Sequence, residues 1–249
     1  MTLLARTAQI AARVAERHAN VDYVVATDHE EIQRHAMDIG APVVMTDPEL
    51  PSGTDRALAA AQAVDAAPDF IVNLQGDAPF TDPSHIEALV EAAATSDADV
   101  VTPVMQMDWA ALDTVRDQKT REPFSGTSCI RHADGRAIWF SKNVIPAIRK
   151  EAKLREEQAM SPVWRHLGLY GYRLAALRRF SALPVGHYEA LEGLEQLRFL
   201  ENGMTIDTVA VECGSFAMWG IDTPEDAQVA ERIIAEHGDP YHSARGSAD

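Results

Sequence analysis

Two aspartates stand at predicted ends of elements, where their carboxylates could bind a divalent cation. Asp77 follows Gly76 and the apolar run 70–74, so it is predicted to lie just beyond the carboxyl end of a buried strand. Asp222 opens Asp-Thr-Pro-Glu-Asp, a typical helix start. Ligands bind at the carboxyl edge of open α/β sheets, and two such carboxylates can hold one Mg²⁺ against phosphate oxygens. The alternative is structural, with Asp77 a turn residue and Asp222 part of a helix cap.

The segment 52–56, Ser-Gly-Thr-Asp-Arg, is a candidate anion site because small residues lead into a predicted helix. Small side chains let an anion or a nucleotide approach the backbone N–H groups at a helix N-terminus. Arg56 adds a positive charge to the same turn. The alternative interpretation is an ordinary N-cap.

Aromatic and small residues alternate in the predicted strand 166–172. His166, Gly168, Tyr170 and Tyr172 share one face of such a strand, and its glycines leave space for a ligand to approach. A histidine and two tyrosines suit a polyhydroxylated, acidic ligand. An edge strand whose aromatic rings pack in the core is the equally open alternative.

A predicted amphipathic helix over 188–200 carries a further pair of acids. Glu192 and Glu195 are three residues apart, so they would be neighbours on one helical surface and could contact hydroxyl groups. Solvated surface charges are the usual explanation for such a pair.

These residues need an α/β framework to position them. Strand and helix patterns alternate over 23–105, which predicts a mostly parallel sheet with helices on both faces. No GxGxxG motif is present, so a dinucleotide fingerprint is excluded. From about 108 to 165 the pattern changes to a hairpin around 133–136 and a densely charged insertion over 149–158.

Composition excludes several classes of protein. The 249 residues carry a net charge of −16, which gives no basic footprint for nucleic acid. No apolar run approaches the roughly 20 residues that a membrane span needs. Cys129 and Cys213 lack CxxC spacing, so neither a disulfide framework nor a zinc site is expected, and a cytoplasmic location fits.

Six motifs, taken together and in order, resemble the 3-deoxy-manno-octulosonate (Kdo) cytidylyltransferase, or CMP-Kdo synthetase, family. They are Ser-Gly-Thr-Asp-Arg (52–56), Val-Asn-Leu-Gln-Gly-Asp (72–77), Trp-Phe-Ser-Lys (139–142) with Ile145-Pro146, Arg-His-Leu-Gly-Leu-Tyr-Gly-Tyr-Arg (165–173), Leu-Glu-Gln-Leu-Arg (194–198) and Ile-Asp-Thr-Pro-Glu-Asp (221–226). The resemblance implies a Rossmann-like nucleotide-diphospho-sugar transferase fold in a single domain over 1–238. A flexible tail is expected over 239–249.

The resemblance also implies a function. It predicts a CTP-dependent nucleotidyltransferase that converts CTP and Kdo to CMP-Kdo and pyrophosphate for lipopolysaccharide or capsule biosynthesis. Mg²⁺, a cytoplasmic location and a homodimer are implied as well, with no nucleic-acid partner. The open alternatives are a degenerate nucleotide- or sugar-binding subunit, and a related nucleotidyltransferase acting on another 2-keto acid sugar.

The family's functional positions can be transferred residue by residue. The resemblance implies that Asp77 and Asp222 are the catalytic metal ligands and that Ser52 and Arg56 face the nucleotide. On the sugar side it implies Gln75, Arg149, His166, Tyr170, Glu192, Glu195 and Gln196. Among these, His166 and Arg149 are expected to pair with the sugar carboxylate, because charge-assisted hydrogen bonds are the strong ones.

The chain departs from the family pattern at several positions. Ala78 replaces a glutamate, Ala147 and Ile148 replace a Trp-Asp pair, and Ser128 stands where a lysine is common. These differences leave the exact sugar open. The family's first strand and its phosphate-binding loop have no counterpart before helix 3–18, so the chain as written is expected to be a poor catalyst.

Overall fold

The computed structural model describes residues 1–212, 221 and 224–237. Its elements in chain order are α1 (Leu3–Arg17), β1 (Val25–Thr27), α2 (Glu30–Asp38), β2 (Val43–Met45), α3 (Gly53–Ala63), β3 (Phe70–Asn73), α4 (Pro83–Thr95), β4 (Val100–Asp108), α5 (Trp109–Arg121), β5 (Thr127–Arg131), β6 (Ala137–Ser141), α6 (Glu151–Glu157), β7 (Met160–His166), β8 (Tyr170–Arg173), α7 (Leu174–Ser181), α8 (His187–Glu192), α9 (Gln196–Glu201), β9 (Ile206–Ala210) and α10 (Pro224–His237). No helix in these ranges is long and apolar enough to cross a lipid bilayer.

The described residues form two compact units. The first contains 1–45, 74–84 and the described part after 212, and the second contains 46–73 and 85–212. A single domain over 1–238 stays a prediction, and the tail 239–249 lies outside the described residues.

The first unit contains a short parallel sheet. β1 and β2 pair in parallel, and small apolar residues of this unit, Ala8, Ala36 and Ala41, form a buried cluster. Thr2 caps α1, because its hydroxyl accepts a hydrogen bond from the N–H of Ala5 at 3.2 Å. The first helix predicted from the sequence is therefore confirmed as α1.

The second unit is built on a seven-stranded sheet in the order β3-β8-β4-β7-β5-β6, with β9 paired to β4. The long strand β4 pairs in parallel with β9 along one edge. Along its other edge it pairs antiparallel with β8 and then with β7. The prediction of a mostly parallel sheet is therefore wrong here: among the described residues of this unit, β4 and β9 are the sole parallel pair.

The error has a physical cause. Apolar runs show that a strand is buried, but they do not show which strand lies beside it. β3 and β4 follow one another in sequence with a helix between them, which is typical of parallel neighbours. In the structure β8 lies between them and is antiparallel to both. The α/β class survives this correction, because the helices still alternate with the strands of the first 108 residues.

The predicted helix over 188–200 is two helices, α8 and α9. Gly193 has a positive φ of 64° and ends α8, donating its N–H to the carbonyl of Glu189 at 2.8 Å. Glu192 and Glu195 consequently lie on either side of a left-handed break. The expectation that they are neighbours on one helical surface is therefore wrong.

Two glycines of the β7–β8 segment have opposite surroundings. A Cβ built on Gly168 would meet nothing within 4 Å, so the space predicted there is open. A Cβ built on Gly171 would come within 2.2 Å of the Phe70 ring of β3. The space beside Gly171 is thus filled by the protein's own side chain rather than left for a ligand.

We expect Gly171→Ala to destabilise the protein by about 1–3 kcal/mol, because the new methyl group would overpack the Phe70 ring. Chemical denaturation of Gly171→Ala, Phe70→Leu and the double variant measures this effect. If the clash is the cause, the penalty of Gly171→Ala disappears in the Phe70→Leu background. An equal penalty in both backgrounds would contradict the explanation.

Candidate active site

Gln75 and Asp77 lie in a tight turn of the first unit. The N–H of Ala78 donates to the carbonyl of Gln75 at 3.2 Å, and Gln75 is exposed while Asp77 is half-buried. The carbonyl of Asp77 accepts from the N–H of Ile221 at 2.8 Å. Asp222 itself lies outside the described residues. The turn predicted around Asp77 is therefore confirmed. The residue that precedes Asp222 forms a hydrogen bond with the backbone of Asp77.

Ser52 is the N-cap of α3. Its hydroxyl accepts from the N–H of Asp55 at 3.1 Å and donates to Oδ2 of the same residue at 2.7 Å. Arg56 donates from Nη1 to the hydroxyl of Thr46 at 2.5 Å. Gly53 exposes its backbone, because a Cβ there would meet nothing within 4 Å. The capping interpretation is confirmed, and nucleotide binding by Ser52 and Arg56 stays a prediction.

A row of aromatic rings lines one face of the main sheet. The ring centroid of His166 lies 5.2 Å from that of Tyr170 and 5.0 Å from that of Phe140. Tyr170 stacks on Tyr172 at 5.8 Å, and Tyr172 stacks on Phe199 at 5.7 Å. His166, Tyr170 and Tyr172 therefore share a face as predicted, but the prediction of one strand over 166–172 is wrong, because β7 ends at His166 and β8 begins at Tyr170. Tyr172 and Phe199 belong to the buried core, whereas Tyr170 is partly exposed.

The hydrogen bonds of His166 define its tautomer. The hydroxyl of Thr102 donates to the carbonyl of Leu169 at 2.7 Å, so its single proton is used. His166 Nε2 lies 2.8 Å from the same hydroxyl and must therefore donate to it. Burial and the nearby charge of Lys142 lower the pKa of His166 to about 3. The imidazole is neutral at physiological pH, with Nδ1 as a hydrogen-bond acceptor.

This low pKa makes stability depend on pH. Between pH 6.5 and 3 the unfolded chain binds a proton at His166 that the folded chain does not. Stability therefore falls as the pH falls, by about 2 kcal/mol between neutral pH and pH 5. Denaturation midpoints of wild type and His166→Asn across this range measure the effect. The variant should have the shallower slope, and identical slopes would contradict the assignment.

Glu192 fixes the end of β6. Its carboxylate accepts from the hydroxyl of Ser141 at 2.8 Å and from the backbone N–H of Lys142 at 2.7 Å. The carbonyl of Lys142 accepts from the ammonium group of Lys119 at 2.5 Å. The backbone N–H and the carbonyl of Lys142 are thus both hydrogen-bonded. The ammonium group of Lys142 forms no ion pair with any described residue.

Glu195 and Gln196 begin α9. Oε2 of Glu195 accepts from the hydroxyl of Thr54 at 2.7 Å. Gln196 is 3% exposed, and its amide nitrogen has no hydrogen-bond partner among the described residues. An unpaired buried donor is costly, and a ligand that accepts from it removes that cost. The site therefore offers an acceptor at Glu195 and a donor at Gln196.

Arg149 is exposed and lies in the turn before α6. The charge that acts on the pKa of His166 is that of Lys142, not that of Arg149. A neutral His166 also cannot form an ion pair with a carboxylate. The pairing of His166 and Arg149 with one carboxylate stays a prediction.

Sequence reasoning missed three residues of this site: Thr54, Thr102 and Lys142. Thr102 carried a signal, because it is a lone hydroxyl in the apolar run of β4. Thr54 lies inside a quoted motif but bonds to a residue 141 positions away. Lys142 also lies inside a quoted motif, but nothing in the sequence near it identifies the two backbone hydrogen bonds that hold it.

The described residues include no group of three His, Cys, Asp or Glu side chains placed to hold a metal ion. The predicted metal pair includes Asp222, which lies outside those residues. Asp77 alone supplies one half-buried carboxylate at a turn.

The α/β fold of this chain is that of the nucleotidyltransferase class, because it matches a solved cytidylyltransferase over most of its length. The family model described as Cytidylyltransferase matches residues 2–206, and the chain belongs to this family. The earlier identification from six motifs is thus confirmed.

Named relatives are similar over most of the chain. A 3-deoxy-manno-octulosonate cytidylyltransferase of Maricaulis maris is 38% identical over 229 residues, 91% of this chain and 86% of the relative. One of Acidobacterium capsulatum is 38% identical over 213 residues, 86% of this chain and 79% of the relative. The solved structure of CMP:2-keto-3-deoxy-manno-octonic acid synthetase complexed with CTP is 29% identical, with a TM-score of 0.75, covering 92% of this chain and 88% of its own.

Proposed function

We propose that this protein activates Kdo with CTP, giving CMP-Kdo and pyrophosphate for lipopolysaccharide or capsule biosynthesis. The observation that carries the proposal is a set of four polar side chains. His166, Tyr170, Glu195 and Gln196 present acceptors and an unpaired donor suited to several hydroxyl groups. The similarity to a CMP-Kdo synthetase over 92% of the chain supports this choice of substrate.

In the reaction, the anomeric hydroxyl of the sugar attacks the α-phosphorus of CTP. A bond forms between the sugar oxygen and the α-phosphorus, and the bond from the α-phosphorus to the oxygen that bridges to the β-phosphorus breaks. Pyrophosphate leaves with that bridging oxygen, and the hydroxyl proton passes to solvent. Such transfers depend mainly on positioning and on neutralising phosphate charge. We assign Ser52 and Arg56 to the nucleotide, and Gln75, His166, Tyr170, Glu192, Glu195 and Gln196 to the sugar.

We assign Asp77 and Asp222 to a Mg²⁺ ion. Carboxylate oxygens are the ligands that Mg²⁺ prefers, and the half-buried Asp77 at a turn fits one such ligand. The ion would neutralise phosphate charge when bound. The proposal also includes a cytoplasmic location and a homodimer, and light scattering of the purified protein tests the dimer.

We further assign the sugar carboxylate to Lys142 rather than Arg149. Lys142 has its backbone fixed by Glu192 and Lys119, and its charge acts on His166. Lys142→Met is expected to weaken Kdo binding about 10-fold or more and to leave CTP binding within about 2-fold. Arg149→Met is the matched control and should change neither affinity. A larger loss of Kdo affinity for Arg149→Met would restore the original assignment.

Release of pyrophosphate tests the function directly. The purified protein is assayed with CTP, GTP, ATP and UTP, each in the presence of Kdo and of other 2-keto acid sugars. Activity with CTP and Kdo above all other pairs supports the proposal. Preference for another sugar would identify a related cytidylyltransferase, and binding of CTP without pyrophosphate release would identify a binding subunit.

A further inference from the structure

Thr54 joins two segments that belong to different parts of the proposed site. It lies in the first turn of α3, between Ser52 and Arg56, and its hydroxyl donates to Oε2 of Glu195 at 2.7 Å. Glu195 directly precedes α9, far away in sequence. One buried hydroxyl therefore connects the turn assigned to the nucleotide with the helix assigned to the sugar.

The surroundings of Thr54 make this contact strong. Thr54 is 3% exposed, and a hydrogen bond to a carboxylate in such a site is charge-assisted. The single proton of the Thr54 hydroxyl is used in this bond, so the hydroxyl is committed to the Glu195 carboxylate.

The contact with Thr54 uses one carboxylate oxygen of Glu195 and leaves the other available to a ligand. Oε2 is bonded to Thr54, and Oε1 has no hydrogen bond from any described residue. Because α8 ends at Gly193, Glu195 is not positioned by α8. Its orientation depends on the first turn of α9 and on Thr54.

We propose that Thr54 is a positioning residue: its hydroxyl fixes the Glu195 carboxylate so that Oε1 is held toward a hydroxyl of the sugar substrate. The inference rests on the proposed function, because it takes Glu195 as a sugar contact. It adds a residue whose hydroxyl the capping of α3 does not require, since Ser52 supplies the cap.

Thr54→Val removes the hydroxyl and keeps the shape of the side chain. We expect it to weaken Kdo binding about 10-fold, while CTP binding changes by less than about 2-fold. The separate variant Thr54→Ser retains the hydroxyl and should bind Kdo with the affinity of the wild type. Calorimetry with Kdo, in the presence of Mg²⁺ and a CTP analogue with a methylene group between the α- and β-phosphorus atoms, measures binding without turnover.

Thr208→Val is the matched control. Thr208 lies on β9 and is also buried, and its hydroxyl donates to the carbonyl of Gly135 at 2.6 Å. Thr208→Val therefore makes the same chemical change away from Glu195. It should reduce stability without changing Kdo affinity. Circular dichroism and thermal denaturation establish that each variant is folded.

A double-mutant cycle with Glu195→Gln decides whether Thr54 acts through Glu195. Thr54→Val should have little further effect on Kdo affinity once Glu195 is replaced. Unchanged Kdo affinity in folded Thr54→Val, equal losses of Kdo and CTP affinity, or full additivity with Glu195→Gln would overturn the inference. If the wild type binds the CTP analogue but not Kdo, the proposed sugar substrate fails instead, and this outcome is recognised before any variant is measured.

Discussion

Replacing Asp77 by asparagine is expected to lower the rate of cytidylyl transfer by about 10²–10³-fold. The change preserves the shape of the side chain and removes the negative charge that Mg²⁺ requires of its ligand. Mg²⁺-dependent CTP binding should weaken as well, while the fold is retained. Pyrophosphate release and calorimetry with Mg²⁺ and CTP measure both effects.

Asp82→Asn is the matched control for this change. Asp82 lies in the same segment, and its Oδ1 accepts from the N–H of Ser84 at 2.9 Å, a bond that an asparagine can also accept. Its activity should equal that of the wild type. Asp222→Asn should behave like Asp77→Asn, and the double variant should be little worse than either. Full binding of Mg²⁺ and CTP by Asp77→Asn would leave Asp77 as a turn residue only.

The largest effect on stability is expected at the ion pair between Glu189 and Arg198. Nε of Arg198 donates to Oε2 of Glu189 at 2.7 Å, Nη2 donates to Oε1, and the two residues are 6% and 9% exposed. The guanidinium also lies 4.1 Å from the centre of the Phe180 ring. Arg198→Met leaves a buried, unpaired carboxylate and should destabilise the protein by about 3–5 kcal/mol.

Denaturation of the single and double variants tests this explanation. Glu189→Gln with Arg198→Met removes both charges, keeps an oxygen that can accept from the N–H of Gly186, and should recover much of the loss. The control is Lys153→Met, which breaks an exposed pair with Glu157 and should cost about 0–1 kcal/mol. If the double variant is as unstable as Arg198→Met, lost packing on Phe180 is the cause rather than the unpaired charge.

Local signals in the sequence predicted the elements well. The periodic apolar positions before residue 18 predicted α1, and the apolar run before Gly76 predicted β3. The N-cap chemistry of Ser52 was also readable, because a cap bonds within three residues of itself. Family motifs added the nucleotidyltransferase fold and the candidate residues.

Relations between distant residues could not be predicted in this way. The insertion of β8 between β3 and β4 depends on strand pairing, which apolar periodicity does not encode. The neutral state of His166 depends on burial and on Lys142, whose placement is set by Glu192 and Lys119. Each of these facts requires the tertiary structure.

The left-handed break at Gly193 has a consequence for how specificity can evolve. It separates two carboxylates that lie three residues apart in sequence and gives each a support of its own. Glu192 is held by the end of β6, and Glu195 is held by Thr54 of α3. A substitution beside one acid can therefore alter its orientation while leaving the other in place. Selection can adjust the two positions independently, one mutation at a time.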